Sequence, residues 1–309
     1  MGKYILKRFA YMLIVVWAVS LIAFVLLRAA PSDAAVLSLP DTATQEQIEA
    51  KREELGLNAP YLVQYGKYML DLIRGDLGTS IMYGYSCKQA IMSRLPATFN
   101  VAITSAVLIL FISIPLGITA GVKQGTGIDF FATFFVVLLQ SMAVVWVCIL
   151  LLLIFTVKFD LLPAMGYKGL ARPEYLVMPI IASGYRLMTS LTRMGRSGMI
   201  DVLGEDYITC TYARGMSRFE VYTKYAFKNA LIPIITIYGL NISNMLAGAV
   251  VIETVFNIPG IGTMLVNAVN HRDYPLVQST LIVTAIIFAV ITLIVDIVNA
   301  YIDRRMQLN

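Results

Sequence analysis

The chain has 309 residues, of which 58% are hydrophobic and 14% charged. An average soluble domain is about 25% charged, so the composition excludes a soluble enzyme of this length. It also excludes a disordered chain, which needs low hydrophobicity and high charge. The net charge of +5 is small for this length, and the positions of the basic residues matter more than their sum.

Six stretches approach the roughly 20 apolar residues that a membrane-spanning helix needs. They are 9–27, 101–122, 130–157, 175–191, 231–252 and 280–302. Lys3, Lys7 and Arg8 precede the first, as in a signal peptide, but its apolar run is too long for an h-region. It reads as a retained helix. With the N-terminus inside, Lys123, Arg193, Arg196, Arg214, Arg218, Lys224, Lys228, Arg304 and Arg305 also fall in the cytoplasm. The short outer loops then carry Lys158, Lys168, Arg172 and Arg272. That bias places both termini in the cytoplasm. The expected fold is all-α, a polytopic membrane protein with six transmembrane helices.

The segment between the first two spans looks folded. Thr44 and Gln47 fit a capping box, and Gly56 is a helix stop. A second helix is expected over 60–74, with Tyr61, Tyr65, Tyr68 and Leu72 on one face. Gly75 and Gly78 end it. The expected division is 1–94, the first span with an outer cap, and 95–309, a five-span core with a cytoplasmic loop at 201–230.

That loop is the most informative segment. Residues 201–233 read DVLGEDYITCTYARGMSRFEVYTKYAFKNALIP, too polar to span and too long for a connector. Gly204, Glu205 and Asp206 open a helix with acid in its first turn, favourable to the helix dipole. Gly215 can end it in the left-handed conformation. Ser217 and Glu220 form a capping box for a second helix that carries Phe219 and Tyr222. The segment is either a solvated loop folded on the membrane surface or a docking knob for a soluble partner.

Enzyme chemistry has little to stand on. The sequence has no Walker A motif, no HExxH and no GxSxG. Cys87, Cys148 and Cys210 lack CxxC spacing, and His271 is the one histidine. No catalytic residue and no metal ligand is expected. Polar residues inside the spans offer a path instead. Arg186 is either a structural pair or a pathway residue for an acidic group. Asn241, Ser243 and Asn244, with Gln140 and Ser141, either join helices or line a path. Asp296 and Asn299 are expected to pair with Arg304 or Arg305.

Several stretches, in order, carry a resemblance. They are LGLNAPYLVQY (55–65), RGDLGTS (74–80), RLPATFNVA (94–102), EDYITCTYARG (205–215), KNALIPIIT (228–236), VVIETVFNIPGIG (250–262), HRDYPLVQ (271–278) and DRR (303–305). The chain resembles the peptide/nickel permease family of ABC importers, in particular its first, B-type membrane subunit. The loop is similar to the cytoplasmic loop of such permeases, with Gly215 followed by Pro233. There are departures: Thr209, Cys210 and Thr211 replace small residues before the loop glycine. Pro31-Ser32-Asp33 replaces a Pro-Gly-Asp, and Ser141-Met142-Ala143 stands where the third span often has a proline.

The resemblance implies a type I importer core that binds ATPase subunits through Glu205, Asp206, Tyr207, Thr211, Ala213, Arg214, Gly215, Ser217, Glu220 and Pro233. It implies a homologous second permease as partner, two ATPases that hold ATP and Mg, and no cofactor on this chain. A substrate-binding protein is expected on the outer face, near Pro259, Gly260, His271, Arg272, Asp273 and Tyr274. The substrate is expected to be a short peptide, with nickel or a metal chelate as the alternative. Nucleic acid is not an expected partner. The expected location is the cytoplasmic (inner) membrane of a bacterium or archaeon. An ion-coupled secondary transporter is the reading from another class, but it would need carboxylates near the middle of a span.

Overall fold

The computed structural model describes residues 2–29, 36, 39, 43–54 and 57–302. Among them helices dominate, and the β structure is one isolated bridge between Thr79 and Ser86. The helices are α1 (Gly2–Ala29), α2 (Gln45–Glu54), α3 (Tyr61–Ile73), α4 (Cys87–Val122), α5 (Gly127–Gln140), α6 (Val144–Leu151), α7 (Val177–Leu203), α8 (Asp206–Ala213), α9 (Phe227–Val255), α10 (Ile261–Asn270) and α11 (Tyr274–Ile302). A π-helical turn, Leu152–Lys158, continues α6.

Among the described residues three helices are long and apolar enough to cross a membrane, within Leu6–Leu26, Cys87–Val122 and Tyr274–Ala300. A fourth crossing results if α5 and the Val144–Lys158 helix count as one broken span. The 27-residue α7 has the length but carries Arg186, Arg193 and Arg196. The 29-residue α9 has the length as well.

Several boundaries differ from expectation. The helix that carries the second span starts at Cys87, ahead of the expected 101, because it runs through RLPATFNVA. The fourth is expected to end at 191, yet α7 continues to Leu203. The third is not one continuous helix. The chain turns by 109° between α5 and the Val144–Lys158 helix, without proline. Ser141 stays in the helical region and its hydroxyl donates to the Val137 carbonyl at 2.9 Å, while Ala143 is extended (φ −71°, ψ 147°) and starts α6.

The chain divides into two compact units. One comprises residues 1–8, 97–258 and 291–309, the other 9–96 and 259–290. In the first, α4 and α7 pack backbone to backbone. A Cβ on Gly117 would lie 2.7 Å from the Thr192 carbonyl oxygen, and one on Gly121 would lie 2.7 Å from Met199 Cβ. Small residues allow such approach where lipid supplies no hydrophobic drive between helices. Phe130, Phe131, Phe134 and Phe135 of α5 are exposed, as suits a surface facing lipid or a protein partner.

In the second unit the Thr44–Gln47 capping box forms in both directions, at 2.9 and 3.4 Å. Gly56 lies outside the described residues. The tyrosine face of α3 packs on α1. The Tyr65 hydroxyl lies 2.8 Å from Ser20 Oγ, and the Phe24 ring lies 5.3 Å from that of Tyr65. Tyr61, expected on the same face, is exposed.

Candidate functional site

The loop at 201–233 folds as a helix, a glycine turn and a second helix. Its first three residues complete α7, and Glu205 is the N-cap of α8. Gly215 has φ +78° and its N–H reaches the Tyr212 carbonyl at 2.9 Å. Ser217 Oγ then accepts the Glu220 N–H at 3.3 Å. The second helix runs from Arg218–Glu220 through a π-helical stretch, Val221–Ala226, into α9 without a break. Pro233, expected as the far end of the loop, is inside α9.

The loop has a packed side and an open side. Ile208 packs with Met199, Val221, Ala226 and Ala230. Thr211, expected as a contact residue, is buried and donates to the Ile208 carbonyl at 2.7 Å, so its role is local. Asn229 Nδ2 donates to the Tyr207 hydroxyl at 2.7 Å, tying α8 to α9. Burial raises the Tyr212 phenol above its ordinary range, and the neighbouring Tyr222 adds to this. Glu205, Asp206, Tyr207, Ala213, Arg214, Gly215, Ser217 and Glu220 are exposed. Between them Phe219 stands 77% exposed, a large apolar side chain on a rigidly mounted turn.

The path candidates fall into two groups. At the break between α5 and α6, Arg193 donates to Gln140 at 3.4 Å. Arg186 donates to the Tyr185 hydroxyl at 3.0 Å, which donates to the Met142 carbonyl at 3.0 Å. Ser141 is exposed beside them. On α9, half-buried Asn241 turns back to the Ile237 carbonyl at 2.8 Å, while Asn244 is exposed. Asp296 pairs with Arg8 at 3.0 Å, and the expected partners Arg304 and Arg305 lie outside the described residues.

Sequence reasoning missed one ion pair and one hydrogen bond to a buried carboxylate in this unit. Arg196 grips Asp129 of α5 through Nε and Nη2 of its guanidinium, and Asp129 also accepts the Gly125 N–H at 3.0 Å. Thr98 Oγ1 donates at 2.5 Å to Glu253, which is buried within the VVIETVFNIPGIG stretch. The available signal for the first was an acid in a first helical turn after a Gly-Thr-Gly.

The second unit holds the residues expected to face a binding protein. Pro259, His271 and Arg272 are exposed and Tyr274 is half-buried. Gly260 is buried as the N-cap of α10. Asp273 is fully buried, which corrects its placement on a contact surface. It accepts from the Ser80 hydroxyl at 2.5 Å and from the Met82 and Leu276 N–H groups at 2.9 and 3.1 Å. It is a clip between two loops.

A family model described as the inner membrane component of binding-protein-dependent transport systems matches residues 113–308, and the model of its N-terminal part matches 1–104. The chain belongs to this family. The permease is 34% identical to the dipeptide transport system permease protein of Alkalihalophilus pseudofirmus, over 99% of this chain and all of that one. It is 33% identical to the oligopeptide transport system permease protein of Bacillus subtilis, with 99% and 100% covered. It is 32% identical to the glutathione transport system permease protein of Salmonella paratyphi A, with 99% of each covered. The inward-facing MetNI methionine ABC transporter superposes with a TM-score of 0.58 at 13% identity, covering 70% of this chain and 97% of that one. That likeness concerns the fold. The permease is thus an all-α membrane component of an ABC importer.

Proposed function

We propose that this permease carries short peptides inward as one half of a translocation path, the other half being a homologous second permease. The names of its relatives, which include dipeptide, oligopeptide and glutathione systems, support peptide as the substrate class. The observation that carries the mechanical part is the loop at 201–233. An exposed Phe219 and exposed charges ride on a turn whose other side is packed against the helix ends. Such a mount transmits force, whereas a solvated loop would not.

In this reading two ATPase subunits hold ATP and Mg and dock on Glu205, Asp206, Tyr207, Arg214 and Phe219. A substrate-binding protein delivers peptide from outside. Six helices cross the inner membrane, with both termini and the docking loop in the cytoplasm. Closure of the ATPases displaces the loop, and the continuous helix from Arg218 through α9 carries that motion into the membrane, in the manner of alternating access. Gln140, Ser141, Arg186 and Asn244 stand as path residues.

Co-purification tests this. Tagged permease expressed with its neighbouring genes retains the ATPases and a second permease, and vesicles with the assembled complex take up labelled dialanine only with ATP and binding protein. A permease that purifies alone and moves substrate down an ion gradient would overturn it.

A further inference from the structure

The third span is broken near its middle. The chain turns by 109° between α5 and the Val144–Lys158 helix, and Gln140, Ser141 and Ala143 at the turn are exposed. Irregular backbone at membrane depth is tolerated where protein buries it or where it lines a water-filled space. This chain leaves the turn uncovered, so water or a neighbouring subunit must meet it.

A polar face of α7 meets the same turn. Ser183, Arg186, Ser190, Arg193 and Ser197 follow at steps of three and four residues, which puts them on one side of the helix. Arg186, Arg193 and Ser197 are exposed, and the other two serines are half-buried. The opposite side, with Gly184, Leu187, Leu191 and Gly195, is buried. In the six-span reading α7 crosses the membrane, and an arginine within a span faces protein or water. The three arginines of α7 are not equivalent. Arg196 has Asp129 as its carboxylate. Arg193 meets the neutral Gln140 Oε1 at 3.4 Å, and Arg186 gives its Nε to the Tyr185 hydroxyl at 3.0 Å. Neither Arg186 nor Arg193 makes an ion pair among the described residues. The helix itself supplies no carboxylate from Val177 to Ile200. A guanidinium has five N–H donors in a planar fork, so each keeps donors for an anion held at two points.

We infer that Arg186, Arg193 and the turn at 140–143 form a carboxylate site in the translocation path, which takes the C-terminal carboxylate of the peptide. The inference rests on the peptide reading above and deepens it. Peptides differ in their side chains, but each unmodified one ends in a carboxylate, so a path that serves many sequences can grip that end. The two arginines are seven residues apart, about 10 Å along the helix. With α7 running inward, the carboxylate meets Arg186 first and Arg193 next. The ammonium end finds no counter-charge on this face, which orients the peptide.

The test uses the co-purified complex in phosphatidylcholine nanodiscs, without binding protein. Ser141→Cys is made in a background lacking Cys87, Cys148 and Cys210. Rates are taken relative to those with free cysteine. A methanethiosulfonate reagent bearing a sulfonate labels position 141 about tenfold faster than its trimethylammonium analogue, because a cationic cleft concentrates anions. Arg186→Gln and Arg193→Gln each reduce that preference. Trialanine slows the labelling, and trialanine with an amidated C-terminus needs about tenfold higher concentration to do so. The two peptides are compared with both arginines intact, so the test survives a variant that misfolds. Absence of labelling, equal protection by both peptides, or a preference unchanged by the arginine variants overturns the inference. So does loss of the second permease from an arginine variant that melts like wild type, which would make the arginines a subunit contact. Protection by phosphatidylglycerol in the nanodisc, with no effect of trialanine, would assign them to lipid headgroups and overturn it as well. Uptake of dialanine by the assembled importer is read separately. Uptake together with equal protection by the two tripeptides sinks the carboxylate site and leaves peptide import standing, whereas failure of uptake sinks both.

Discussion

Arg196 of α7 holds Asp129 of α5 in a two-pronged ion pair, with Nη2 2.9 Å from Oδ2 and Nε against Oδ1. Asp129 is 6% exposed and sits in the first turn of its helix, where the dipole favours a negative charge. Removing Asp129 leaves the Arg196 guanidinium, whose side chain is 31% exposed, without its carboxylate, and removing Arg196 leaves the buried Asp129 without its cation. Breaking a buried pair in this way costs about 3–5 kcal/mol, toward the lower end here because Arg196 is partly exposed. Asp129→Asn therefore lowers the melting temperature of the purified permease by several degrees, while the double variant Asp129→Asn/Arg196→Gln recovers part of the loss. Additive losses in that double-mutant cycle would show that the pair contributes nothing as a pair.

The α4–α7 contact gives a second expectation. Gly121 has an ordinary backbone conformation, so its constraint is space. An added Cβ would lie 2.7 Å from Met199 Cβ and 2.8 Å from the Arg196 carbonyl oxygen. Gly121→Ala forces the helices apart and costs about 1–3 kcal/mol as an overpacking change. Gly127→Ala, where a Cβ meets nothing within 4 Å, serves as the control. Equal melting temperatures for the two variants would mean that the helix pair yields without strain.

Topology is tested by accessibility. The charge bias expects Glu49 outside and Arg218 inside. Glu49→Cys and Arg218→Cys are made in a background lacking Cys87, Cys148 and Cys210, of which Cys210 alone is exposed in the described structure. An impermeant thiol reagent applied to intact cells labels position 49 and spares 218. The reverse pattern would invert the orientation.

Much of this organisation was legible in the sequence, for identifiable reasons. The capping boxes at Thr44 and Ser217 and the left-handed Gly215 are local, so a few adjacent residues specify them. The ends of α4 and α7 were not legible, because hydropathy marks where lipid would tolerate a helix and not where the backbone stops being helical. The break at Ser141-Met142-Ala143 carries no proline and depends on what the turn packs against. Asp273 looked like a surface residue in a polar loop, yet its three partners include Ser80 and Met82, far away in sequence. Arg196–Asp129 and Thr98–Glu253 were hidden for the same reason.

Asn244 separates a path residue from a helix contact. Its side chain is exposed on α9, whereas neighbouring Asn241 spends its amide on the Ile237 carbonyl. Polar contacts between membrane helices average about 0.6 kcal/mol and rarely exceed 2. Losing such a contact leaves the complex assembled. Asn244→Leu is therefore expected to lower peptide uptake in vesicles by more than it lowers the yield of assembled complex. Normal uptake, or failure to assemble, would remove Asn244 from the path.

Gly215 tests energy coupling most directly. Its φ of +78° is a conformation that β-branched residues resist, yet a Cβ there would meet nothing within 4 Å. The constraint is therefore conformational and not steric. Gly215→Val strains the turn by about 1–3 kcal/mol and redirects the helix that begins at Arg218. Gly215→Asn, which tolerates the left-handed region, is expected to stay close to wild type. The membrane helices lie outside the turn, so both variants should insert and meet the second permease. In reconstituted vesicles the valine variant should bind the ATPases weakly, or hydrolyse ATP without moving peptide. Glu205→Gln or Arg218→Gln should do less, because exposed ion pairs contribute only about 0–1 kcal/mol. The measurement is substrate-stimulated ATPase activity beside uptake, with subunit stoichiometry checked on a gel. If Gly215→Val couples like wild type, the turn does not transmit the stroke, and the exposed Phe219 is left without a mechanical role.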